Sequence, residues 1–131
     1  MKILPVVRSI LLAASGVTAK RVGGILINAM PGPDEPRPNV TLQLVSELEE
    51  FTHQGPSGLV HDRVRIWSRG NTPQQAGELG DAVRATLNGW QGTQSGISVQ
   101  LIMRTMSTSD YQEAAKVHRQ IDDYDVHWGL A

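Results

Sequence analysis

The residues of this chain that could do chemistry are four histidines, His53, His61, His118 and His127, together with the acidic pair Asp122 and Asp123. His118 with Asp122, and Asp123 with His127, are four residues apart, the separation that brings two ligands onto one helix face and suits a metal ion or an acid–base couple. The same segment, however, alternates Tyr124, Val126 and Trp128 with polar residues and so reads as a strand. No His-Glu-x-x-His pair, phosphate-cradling glycine loop or nucleophile elbow accompanies it. The expectation is therefore histidines at the surface or in hydrogen bonds, with no catalytic residue, no metal site and no cofactor.

A second constellation is a row. His61, Arg63, Arg65 and Arg69 alternate with Val60, Val64 and Ile66 and are interleaved with Trp67, while Asp62 is a polar residue on the apolar side. Alternation places the arginines on one face of a strand over 59–69. Three uses fit such a face: a solvated or ion-paired sheet surface, a protein interface, or a strip for nucleic acid. Trp and Arg are enriched at the centres of interfaces, which favours the second. The third is weakened by Glu47, Glu49 and Glu50 on the preceding strand, which are expected to neutralise the row through cross-strand pairs.

Several elements must position these residues. Val40, Leu42, Leu44 and Leu48 repeat with period two and predict a half-buried strand with Glu47 and Glu49 on its other side. Gly55-Pro56-Ser57-Gly58 predicts the turn that joins it to the arginine strand as an antiparallel hairpin. Thr72 as cap, Pro73 at the first position and Gln75 three after the cap open a helix that Gly89 closes, with Ala76, Leu79, Val83 and Leu87 facing the sheet. Gly77 and Gly80 weaken that helix unless another part of the chain approaches closely. Ile97, Val99, Leu101 and Met103, then Tyr124, Val126 and Trp128, predict two further strands, and Ile25-Leu26-Ile27 a short one.

At the start of the chain, Met1 to Val7 and Ile10 to Ala14, followed by Val17-Thr18-Ala19, imitate an export signal with its cleavage site, but Arg8 splits the apolar run. The expectation is an amphipathic helix with Leu4, Val7, Leu11 and Leu12 on one side and Arg8 and Ser9 reaching water, ended by Ser15-Gly16. Between Asn28 and Asn39, four prolines exclude a helix or a central strand. That stretch is either a connector or an arm that contacts a neighbour, with Met30, Asp34 and Glu35 as its candidate contact residues.

A chain of 131 residues fits one domain, spanning 1–131. A formal charge of -1 gives no overall attraction to nucleic acid or an anionic membrane, and the absence of cysteine removes disulfides and thiol chemistry. The elements sum to an α+β domain: a mostly antiparallel sheet of about four to five strands, with an N-terminal helix and one long central helix packed on it.

The ordered succession Pro56-Ser57-Gly58-Leu59-Val60, Arg63-Val64-Arg65-Ile66-Trp67, Ala82-Val83-Arg84-Ala85, Leu87-Asn88-Gly89-Trp90, Arg104, Asp110-Tyr111, Val117-His118-Arg119 and Tyr124-Asp125-Val126-His127-Trp128 resembles the tail-completion or tail-terminator family of tailed bacteriophages and prophages. The resemblance runs over nearly the whole chain, and the proline-rich segment Pro31 to Pro38 departs from it by being longer and more acidic. It implies a non-enzymatic virion subunit that forms a ring, a hexamer, at the head-proximal end of the tail tube, ends tube growth and joins the tail to the head. The implied partners are further copies of the chain, the tail-tube protein and the head–tail connector. DNA would pass through without specific binding, no membrane is involved, and the subunit would reside in the host cytoplasm until assembly.

Within that reading, Arg63, Arg65, Trp67 and Arg69 with Glu47 and Glu49 are the candidate ring contacts, and Met30, Asp34 and Glu35 the candidates for a neighbour or the tube. Two alternatives stay open: a head–tail adaptor one layer higher in the neck, and a small regulatory nucleic-acid-binding module.

Overall fold

The helix that begins at Pro73 is built as its punctuation requires: the Thr72 hydroxyl accepts from the Gln75 N–H at 3.1 Å, and the Gln75 side chain accepts from the Asn71 N–H at 2.9 Å. Gly89 follows at φ +83°, the left-handed conformation that suits glycine after a helix. A computed structural model describes residues 2–32, 35–52 and 55–131, with 50–52 and 55–57 as backbone alone. Its elements are α1 (Ile3–Ala13), α2 (Ser15–Lys20), β1 (Ile25–Ile27), β2 (Asn39–Thr52), β3 (Gly55–Gly70), α3 (Pro73–Leu87), β4 (Gly92–Gln94), β5 (Ile97–Gln112) and β6 (Val117–Leu130).

The strands form one sheet in the order β1-β2-β3-β6-β5-β4, curled into a half-barrel. This corrects the expected fold class, a mostly antiparallel α+β domain of four to five strands with two helices. There are six strands and three helices, and the β1–β2 pair is parallel, which makes the sheet mixed. Two of the missed elements, α2 and β4, are six and three residues long, too short to show a period. The parallel pair arises because the proline-rich stretch carries the chain back along the length of β1 before β2 starts, as a parallel connection must.

That return is tied down. Pro38 O accepts from the N–H groups of Val22 and Gly23, Glu35 Oε1 accepts from the Gly24 N–H at 2.8 Å, and the Arg37 guanidinium donates to the carbonyls of Ala115 and Lys116. A side chain at Gly23 would meet Pro36 O at 2.0 Å, so glycine is required there.

The core lies between the helices and one face of the sheet. Ile3, Leu4, Val7 and Leu11 of α1 and Leu79, Val83 and Leu87 of α3 pack with Val40, Leu42, Val64, Ile66, Tyr124, Val126 and Trp128. One detail of α1 differs from expectation, in that Leu12 is exposed. Arg8 is exposed as expected, and its Nε donates to Ile25 O at 2.8 Å. Ser15-Gly16 opens α2 instead of ending helical structure. The expected turn at Gly55 to Gly58 is corrected as well, because β3 already pairs with β2 from Gly55.

Candidate functional site

Odd-numbered residues of β3 and β6 meet in register on the sheet face turned away from the helices. Arg65 stands opposite Asp123, Arg63 opposite Asp125, His61 opposite His127 and Trp67 opposite Ile121. Arg65 donates to both oxygens of Asp123, Nε to Oδ1 at 2.8 Å and Nη2 to Oδ2 at 3.2 Å, and Arg63 Nε adds a bond to Oδ2 at 3.1 Å. Asp123 is wholly buried although no helix covers it, because two guanidinium groups roof it. The hydrogen bond that Arg65 donates to Asp123 holds the Arg65 pKa above its ordinary value. About 42% of the Arg63 side chain and 35% of that of Arg65 remain exposed, so their outer edges are available to a partner.

The same face continues at both ends. The His61 and His127 rings stack with centroids 4.3 Å apart, and His61 Nε2 lies 3.4 Å from Asp125 Oδ2. His118 packs against Tyr111 with centroids 4.5 Å apart, at the other end of β6, so the histidines separate into two places. Among the described residues no three His, Asp or Glu side chains are grouped to hold a metal ion, and His53 lies outside the described residues. Met103 of β5, opposite Asp125, is exposed, which adds an apolar margin to the charged row.

Glu47 and Glu49 are not on this face. The register passes from Leu44 opposite Val64 to Ser46 opposite Arg63, so a bulge at Val45 flips everything after it. Glu47 then stands opposite the buried Asp62, and Leu48, expected in the core, stands opposite His61 and is 62% exposed. The expected neutralisation of the arginines by Glu47 and Glu49 is thereby corrected: the carboxylates come from Asp123 and Asp125 of β6. Their alternation with Tyr124, Val126 and Trp128 was the available signal. Glu47 and Glu49 instead line a pocket of about 420 Å³ with Lys2, Val60 and Trp128.

Arg69 closes the other end of the row and is buried. It donates to the Thr41 hydroxyl and to Met30 Sδ, the latter at 3.7 Å, and its guanidinium carbon lies 5.8 Å from the Trp67 ring centre. Burial, foremost, and then Arg119 and Arg37 push its pKa down to about 10. Met30 therefore touches the row while its side chain is 67% exposed, whereas the Glu35 carboxylate is turned inward to Gly24. Asp34 lies outside the described residues.

A family model described as tail completion protein gp17 matches residues 5–127. The chain belongs to that family. It is accordingly a structural protein of a phage tail or neck, as the ordered motifs of its sequence implied. Among solved structures, a chain of "Virion of native gene transfer agent (GTA) particle" has the same fold, with a TM-score of 0.72 at 16% identity over 94% of this chain and 91% of that one. No curated protein matches.

Proposed function

We propose that the chain is a tail-terminator subunit: copies of it close into a ring, a hexamer, that ends growth of the tail tube and joins the tail to the head connector. The family membership supplies the tail; the observation that carries the ring is the sheet face without a covering layer. A sheet ordinarily buries both faces or presents the second as a polar surface. Here the second face carries Trp67, Met103 and Leu48 around an ion-pair cluster whose arginines are fixed in direction, which is the composition of an interface more than of a solvated surface.

The three-residue strands β1 and β4 pair only with 40–42 of β2 and 97–99 of β5, so the outer edges of both long strands run on without a strand partner among the described residues, a feature that suits association with further copies. The module for nucleic acid has less support. Arg63 and Arg65 share Asp123, and Asp125 stands beside them, so the row offers little net positive charge to a phosphate backbone.

The test is mass in solution, with and without tail tubes, beside electron microscopy of a lysate lacking the protein. Rings at tube ends, and tails of uncontrolled length without the protein, are expected. Tails of normal length joined to heads in that lysate would overturn the reading.

A further inference from the structure

Arg69 sits in a pocket of about 430 Å³ that opens beside the turn between β5 and β6 and is lined by Met30, Arg37, Asn39, Gln112 and Ala115 among others. A buried cation ordinarily has a carboxylate partner, since removing it from water is costly otherwise. Arg69 has a hydroxyl and a thioether. The carboxylate that acts on it among the described residues, Asp110, is already held through both oxygens by Arg119. Arg37, facing the same pocket, is engaged with carbonyl oxygens and with Asn71 Oδ1. Glu113 and Lys116 in the adjoining turn add one charge of each sign. Two arginines, Arg69 and Arg37, thus line one opening, and among the described residues no carboxylate lines it with them.

The opposite end of the sheet has the complementary composition. β2 starts at Asn39, which pairs with Arg69, and ten residues later reaches Glu49, about 33 Å away at roughly 3.3 Å per residue. That end presents Glu47 and Glu49, with Lys2 beside them, on one side and the exposed Leu48 on the other, and β2 and β3 stay paired past Leu59, which is the last β3 residue paired with β6. Exposed Leu48 has a counterpart in exposed Met30 at the rim of the Arg69 pocket.

We propose that the far end of β2 in one copy, through Glu49 and Leu48, docks into the Arg69–Arg37 pocket of the next copy. A closed ring requires unlike patches on the two sides of a subunit, and these patches lie at opposite ends of the long strands, so the strands would run along the circumference. The inference rests on the ring reading above and supplies its contact.

The chain contains no cysteine, so introduced thiols report on this contact alone. Glu49→Cys and Met30→Cys are both at exposed positions, and the shorter thiol at 30 gives up only the thioether contact to Arg69, which keeps the Thr41 hydroxyl. Treated with a short bis-maleimide on tail tubes, the double variant should give a ladder of covalent multimers, while each single variant forms rings without covalent multimers. In parallel, Glu49→Lys should reduce ring formation at least about tenfold, because a cation then faces Arg69 and Arg37. Rings that are present by microscopy but yield no ladder would overturn this contact and leave the ring standing. Cross-linking of a single variant to itself would overturn it in favour of a like-to-like interface. Absence of rings altogether would overturn both.

Discussion

The Trp128 indole N–H donates to Asp62 Oδ2 at 2.8 Å on the core face of the sheet, while Asp62 Oδ1 is buried with no hydrogen-bond partner. One carboxylate thus makes half of the contacts it needs, with Glu47 nearby adding negative charge. Burial outweighs the Trp128 bond and holds the Asp62 pKa above its ordinary 3.8.

A pH dependence follows. The folded state binds the Asp62 proton more tightly than the unfolded chain does, so the stability from this group is complete below 3.8 and is lost as pH rises through the higher folded value. Asp62→Asn keeps an oxygen for Trp128 and removes the charge. It should raise stability at pH 7 by on the order of 1 kcal/mol and lose that gain near about pH 4. Urea unfolding at the two pH values measures this, and a variant less stable than the parent at pH 7 would contradict it.

Arg63, Arg65 and Asp123 act as one unit. Reversing the arginines would set new carboxylates against wholly buried Asp123 and damage the fold before any assembly step is reached. The informative variant is Arg63→Gln/Arg65→Gln/Asp123→Asn, which removes all three charges together. It should keep a cooperative unfolding transition, within roughly 2 kcal/mol of the parent, and fail to join tails to heads. Normal virion yield from it would remove this row from the proposed interface.

Glycines in α3 and before β1 separate by what surrounds them. An added Cβ at Gly77 has its nearest neighbour at 3.8 Å, so Gly77→Ala should stabilise by up to about 1 kcal/mol through helix propensity. At Gly80 it would meet Gln120 Nε2 at 2.5 Å, displacing a side chain that donates to Asp122 at 3.2 Å. Gly80→Ala should therefore gain little or nothing, and Gly80→Ala/Gln120→Ala should recover the difference. Thermal melts of the three variants check the order.

Gly23 allows no such escape, because the clash is with the backbone oxygen of Pro36. Gly23→Ala should destabilise by about 2 kcal/mol or more and detach the proline-rich stretch from β1, seen as faster amide exchange at Val22 and Gly24. Unchanged exchange would show that this crossing can relax.

Much of the architecture was legible because it is local. Thr72, Pro73 and Gln75 announce a helix start wherever they occur together, and Tyr124, Val126 and Trp128 declare a buried face by period two. The order of motifs from Pro56 to Trp128 was sufficient to place the chain in its family. Other features depend on where strands are brought together. Nothing in Val45 marks it as the bulge that sends Leu48 outward and parts Glu47 and Glu49 from the arginines, since the register is decided by both strands. Asp123 became the anchor of Arg63 and Arg65 only when β6 was inserted between β3 and β5, and β1 became a parallel partner only when the chain from Asn28 to Pro38 turned back. Periodicity and caps are written residue by residue along the chain, whereas strand order, bulges and ion-pair partners arise from contacts distant in sequence, and those required the folded sheet.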